Sequence, residues 1–135
     1  MTIAVIDTNV LVSALMARHE DSATVRVMNA VFDGLVVPLH CAEIVEEYRE
    51  VLGRPRLRLD PRKCDIVVSY IEDAGVRVPV APSSVGLPDE DDRPFYDVAV
   101  ASRHHGAVLV TGNIRHFPSE PFILTPAAFC ERMGL

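Results

Sequence analysis

Tryptophan is absent, and Lys63 is the only lysine among 135 residues. The three cysteines, Cys41, Cys64 and Cys130, are too few and too widely spaced for a disulfide framework or a C-x-x-C zinc knuckle. They read as reduced, structural thiols. No segment approaches the run of about 20 apolar residues that a membrane helix needs. The N-terminus also lacks the basic stretch, apolar run and small-residue cleavage site of an export signal. The expected location is therefore the cytoplasm, with no membrane involvement. G-x-S-x-G, a Walker glycine loop, G-x-G-x-x-G and H-E-x-x-H are all missing, which removes the common serine-hydrolase, nucleotide and zinc-protease readings. A phosphoacceptor domain with Asp7 as nucleophile would want a lysine near a late strand, and Lys63 is far from one in sequence.

What is present is segregated charge. Aspartate and glutamate outnumber lysine and arginine by 19 to 13, so bulk charge does not attract nucleic acid. Yet Arg54, Arg56, Arg58, Arg62 and Lys63 fall close together, and Asp89, Glu90, Asp91 and Asp92 form one acidic run. A nuclease needs both, because carboxylates hold its metal and cations hold its polyanionic substrate.

The length suits a single domain over residues 1–135. Residues 3–6 predict a buried strand that turns at Asp7-Thr8-Asn9 into a helix over 10–17. A second helix runs from the Ser22 cap to Asp33-Gly34, and a strand covers 35–39. Helices follow over 41–52 and 61–74, then a strand over 76–80 and a Pro, Ser and Gly loop to Pro88. Pro94 suits the first turn of a helix reaching about His105, where His104 and His105 would meet the negative end of the helix dipole. Strands over 108–110 and 122–124 and a helix from Thr125-Pro126 complete the chain. Alternating strands and helices imply an α/β fold, a central parallel sheet flanked by helices in a Rossmann-like three-layer sandwich. Ligands bind such sheets beyond the carboxyl ends of the strands, where Asp7 and Thr111-Gly112-Asn113 fall.

Asp7 is placed to project from that edge, although capping the following helix is an equal reading of it alone. Asn9 would orient Asp7 by hydrogen bonding. On the helix from Cys41, a wheel of about 100° per residue turns Glu43, Glu46 and Glu50 away from the apolar face and leaves Glu47 at its boundary. In the acidic run, Asp92 lies closest in angle to the face bearing Phe95, Val98 and Ala99. Asp97 points elsewhere on that helix and is at most a supporting residue. Three converging carboxylates stay ionised only with a cation among them, and all-oxygen ligation favours Mg2+ or Mn2+. Such an ion activates water and orients in-line attack on a phosphodiester. His116 lies near the same edge.

Four segments together, VIDTNVLVSAL at 5–15, EEYREVLGRP at 46–55, DEDDRPFYDVAVAS at 89–102 and LVTGNIRHFP at 109–118, resemble the PIN domain. The likeness is strongest to the toxins of bacterial toxin–antitoxin pairs and covers nearly the whole chain. It implies a Rossmann-like sheet, Mg2+-dependent endoribonuclease activity on RNA, a homodimer, and a cognate antitoxin that inhibits the site. Residue by residue, it puts the metal-binding acids on Asp7, Glu47 and Asp92, with Thr111 in support. Many PIN domains have a fourth acid where this chain has Asn113, which can hold a water or phosphate oxygen but adds no charge. Arg54, Arg56 and Arg58 are the expected substrate contacts, unless Arg54 and Arg58 pair locally with Glu50 and Asp60. Two alternatives remain: an RNA-processing PIN nuclease without an antitoxin, and a degenerate module that binds RNA or protein without cleaving.

Overall fold

The computed structural model describes residues 1–135. Short apolar, β-branched segments form five strands: β1 (Thr2–Ile6), β2 (Val36–His40), β3 (Val76–Arg77), β4 (Val108–Val110) and β5 (Ile123–Leu124). All neighbours pair in parallel, in the order β3-β2-β1-β4-β5. Six helices flank them: α1 (Thr8–Met16), α2 (Ala23–Phe32), α3 (Ala42–Leu52), α4 (Pro61–Ala74), α5 (Arg93–Ala101) and α6 (Pro126–Met133). The chain steps outward from β1 to β3, then crosses back to β4 on the other side of β1. Right-handed crossovers in opposite directions cover opposite faces of the sheet, giving the expected three-layer α/β architecture. The reversal also opens a crevice beyond the carboxyl ends of β1 and β4.

Local chemistry sets the helix ends. Asp60 accepts a hydrogen bond from the Arg62 amide at 2.9 Å and Pro61 opens α4, while the Thr125 hydroxyl accepts from the Ala128 amide at 3.1 Å and Pro126 opens α6. Gly75 ends α4 where a side chain has no room. A Cβ there would lie 2.3 Å from the Pro38 carbonyl and 2.4 Å from that of Ile71, so the end of α4 lies directly on β2. The apolar faces meet in one contiguous core that includes Ile6, Leu11, Ile44, Tyr48, Ile71, Phe95 and Leu109, all fully buried. No helix is long and apolar enough to cross a membrane.

Several boundaries differ from the sequence expectation. The strand predicted over 76–80 stops at Arg77: the Val78 amide makes a last bond to the His40 carbonyl at 2.7 Å, and Pro79 has no amide to continue. The helix predicted to reach His105 ends at Ala101, and Arg103–His105 form a separate 3₁₀ turn closed by Gly106 at φ +81°. His104 and His105 are thus not on the last turn of α5. Asp92 precedes that helix, as expected, and ends a 3₁₀ turn (Glu90–Asp92) that leads into α5.

Candidate active site

Asp7 is the residue at which β1 becomes α1. Its amide donates to the Val110 carbonyl at 2.9 Å, so its backbone is still held by β4 while its side chain turns back toward the helix. The carboxylate is 3 % exposed. Its Oδ1 accepts from the Thr8 amide at 2.8 Å, an N-cap; its Oδ2 accepts from the Thr111 hydroxyl at 2.8 Å and from Asn9 Nδ2 at 3.2 Å. Capping alone uses only one of these bonds. The other two come from groups that fix the carboxylate at the crevice. Asn9 is itself oriented by the Gly112 amide, which donates to its Oδ1 at 2.8 Å. A Cβ at Gly112 would stand 3.1 Å from that same oxygen, so the glycine permits the approach. The Thr111 hydroxyl in turn accepts from the Asn113 amide at 2.9 Å, tying the turn after β4 to Asp7.

α3 is pinned over the end of β1 by Tyr48, whose buried hydroxyl donates to the Ile6 carbonyl and whose ring packs 6.0 Å from that of Phe95. The next residue back, Glu47, therefore faces the crevice, and its Oε2 accepts from the Thr8 hydroxyl. Asp92 comes from the 3₁₀ turn before α5. Asp89 caps the acidic turn by accepting from the Asp91 amide at 3.0 Å. Arg93 braces it by pairing with Glu90 at 2.6 Å and donating to the Ser83 carbonyl at 2.9 Å.

All three acids are shifted upward, chiefly by burial. Burial, above all, raises the Asp7 carboxyl, against the bonds from Thr111, Thr8 and Asn9. Burial also lifts Glu47 to about 7, opposed by the Thr8 bond and reinforced by repulsion from Asp7, Asp92 and Asp91. Asp92 is pushed up to about 6 by burial and then by Asp7, against its contact with His116. Carboxylates that resist ionisation chiefly through burial, and for Glu47 and Asp92 also through the charge of neighbouring acids, suit a hard divalent cation, whose charge offsets both costs. Asp7, Glu47 and Asp92 would hold it, and it would supply Lewis acidity and water activation to phosphodiester hydrolysis. The hydroxyls of Thr8 and Thr111 and the Asn9 amide keep the acids oriented, each donating to a carboxylate oxygen.

The other sequence-predicted residues are distributed differently. Asn113 is exposed, and its side chain makes no hydrogen bond within the chain. Asp97 is buried but turned away from the acids; its Oδ2 accepts from the Ser83 amide at 2.9 Å, holding the loop before the acidic run against α5. Its support is thus to the loop that positions the run. Arg54 lines an open polar cleft of about 370 Å³ together with Glu47, Glu50, Glu90 and Asp91. There it pairs with Glu50 at 2.9 Å, whereas Arg58 makes no pair with Asp60, which caps α4 instead. Arg58 lies with Arg54 on a second cavity of about 350 Å³ beside Pro61 and Cys64, and Arg56 is exposed between them.

Sequence reasoning missed a group. Asp89, Asp92 and His116 place ligand atoms within 4.8 Å of one another, and His116 Nδ1 lies 3.1 Å from Asp92 Oδ2. His116 reaches Asp92 because Ile114–His116 form a 3₁₀ turn, in which the His116 amide donates to the Asn113 carbonyl at 2.9 Å. Only the nearness of His116 to the active edge hinted at this in the sequence.

A family model described as the PIN domain matches residues 3–115. The chain therefore belongs to the PIN domain family, whose members are generally nucleases. No curated protein matches the chain.

Proposed function

We propose that the protein is a divalent-metal-dependent endoribonuclease in which Asp7, Glu47 and Asp92 hold Mg2+ or Mn2+. What supports this reading is that Thr8 bonds both Asp7 and Glu47, through its amide and its hydroxyl, and that Glu47 and Asp92 each feel the charge of Asp7. Glu47 and Asp92 are pushed to about 7 and about 6, chiefly by burial and further by the charge of neighbouring acids. RNA as substrate, an inhibiting antitoxin and a homodimer come from the resemblance to the toxin branch of the family. Purified protein should cleave RNA with Mg2+ or Mn2+ and stop in EDTA. Full activity in EDTA would overturn the metal mechanism. RNA binding without cleavage at any metal concentration would favour the second reading, a module that binds only; the neutral Asn113 in place of a fourth acid is what recommends it.

Substrate capture is assigned to the basic segment after α3. Apart from Pro94 the cleft beside Glu47 is otherwise lined with acids, so Arg54 is its one cation. Changing Arg54, Arg56 and Arg58 together to Ala should weaken RNA binding with little dependence on sequence, and reduce the salt slope by up to about three contacts. The Arg54–Glu50 pair is exposed and contributes at most about 1 kcal/mol, so it does not prevent Arg54 from turning to a phosphate. Affinities measured at several salt concentrations decide it, and an unchanged slope removes this segment from the substrate path.

A further inference from the structure

Asn113 is neutral, yet the same turn delivers an imidazole three residues later. His116 stands with Asp89 and Asp92 so that their ligand atoms all lie within 4.8 Å of one another. The His116 Nδ1 to Asp92 Oδ2 separation is 3.1 Å. Ligand bonds of about 2.1–2.2 Å at right angles put neighbouring ligand atoms about 3 Å apart, so the two groups, hydrogen-bonded to each other here, are also spaced to bind one ion.

Both carboxylates also keep an oxygen free of hydrogen bonds. Asp89 commits Oδ1 to the Asp91 amide and leaves Oδ2 without a hydrogen bond, and Asp92 Oδ1 likewise has none. The Asp92 side chain is 13 % exposed, whereas that of His116 is 43 % exposed, which leaves the imidazole a route to solvent ions. Arg93, the nearest basic residue in the chain, is turned to Glu90 and Ser83 and does not neutralise this group.

We propose that Asp89, Asp92 and His116 form a mixed carboxylate–imidazole site for a first-row transition ion, with Asp92 shared between it and the carboxylates of Asp7 and Glu47. This extends the metal-dependent reading above and rests on it. Imidazole nitrogen suits manganese and its heavier neighbours, whereas Mg2+ strongly prefers oxygen and its own water. The site therefore favours Mn2+ over Mg2+.

Mn2+ itself is the probe, because pulsed electron paramagnetic resonance detects a coordinated nitrogen directly and needs no substrate. The wild-type protein loaded with Mn2+ should show nitrogen coupling, and His116→Ala should lose it. The same variant should bind Mn2+ about tenfold more weakly while its Mg2+ affinity changes less than threefold. His116 sits on an exposed turn, so His116→Gln provides a second variant of similar size should the alanine protein melt early. Mn2+ bound to wild type without nitrogen coupling would overturn the His116 site and leave the Asp7, Glu47 and Asp92 reading intact. Coupling that persists in both His116 variants would overturn it equally. Failure of the wild type to bind Mn2+ at all would remove both.

Discussion

Asp92→Asn is expected to lower metal-dependent RNA cleavage at least about a hundredfold, because it removes one charge from the cluster that holds the cation while keeping the side chain's shape. Asp92 is the cleaner of two tests. Asp7→Asn should cost as much, but the Asp7 carboxylate accepts from Thr8, Asn9 and Thr111 at once, and an amide would turn its NH2 toward one of those donors. Its variant therefore loses fold stability as well as charge. Asp92 accepts only from the His116 ring, so its variant should fold as wild type. Single-turnover rates at saturating Mg2+ or Mn2+, with melting curves beside them, separate the two effects. Undiminished cleavage by both variants would refute the residue assignment, whatever the fate of the metal requirement.

The layout of the crevice was legible where one residue's neighbours in sequence decide its place. Ile6 is buried and Thr8 starts a helix, so Asp7 falls at the edge of the sheet from periodicity alone. Glu47 was legible for a similar reason: one residue before the buried Tyr48, it lies at the edge of the apolar face of α3. Asp92 was reached by a wheel that assumed a helix, although its actual position comes from a 3₁₀ turn capped by Asp89. Contacts made across the fold were not legible. The Thr111 bond to Asp7 spans 104 positions, and the Ser83 amide that occupies Asp97 comes from a loop with no periodic signal. His116 was seen near the edge, but its meeting with Asp92 depends on how tightly the chain turns after Asn113. The turn follows from backbone geometry that composition does not encode strongly. The same holds for Arg54, whose pairing with Glu50 was one of two arrangements that its spacing allowed.

In the absence of a divalent cation, Glu47→Gln is expected to stabilise the protein at pH 8 by about 1–2 kcal/mol, and to make no difference near pH 4. Glu47 has its folded value raised from 4.5 to about 7, chiefly by burial. Between those values the folded state keeps a proton that the unfolded state has already released, so stability falls as pH rises through this window and stays low above it. Below it both states are protonated and the residue contributes nothing. Glutamine resembles the protonated acid, can still accept from the Thr8 hydroxyl, and is indifferent to pH. The comparison with wild type isolates Glu47 from His40, which burial holds below its ordinary value and which acts in the opposite direction, losing stability as pH falls through its unfolded value. Saturating Mg2+ or Mn2+ should reverse the order, since the cation binds the ionised wild-type site and protects it by mass action. Melting temperatures of both proteins at pH 4, 6 and 8, in EDTA and in excess metal, test each part, with a shift of about 2–4 °C per kcal/mol for a chain of this size. A variant less stable than wild type at pH 8 in EDTA would mean that Glu47 is ionised and held by the Thr8 hydroxyl for structural reasons. The acids would then be a capped and hydrogen-bonded edge of the sheet, and the case for a cation among them would lose its electrostatic basis.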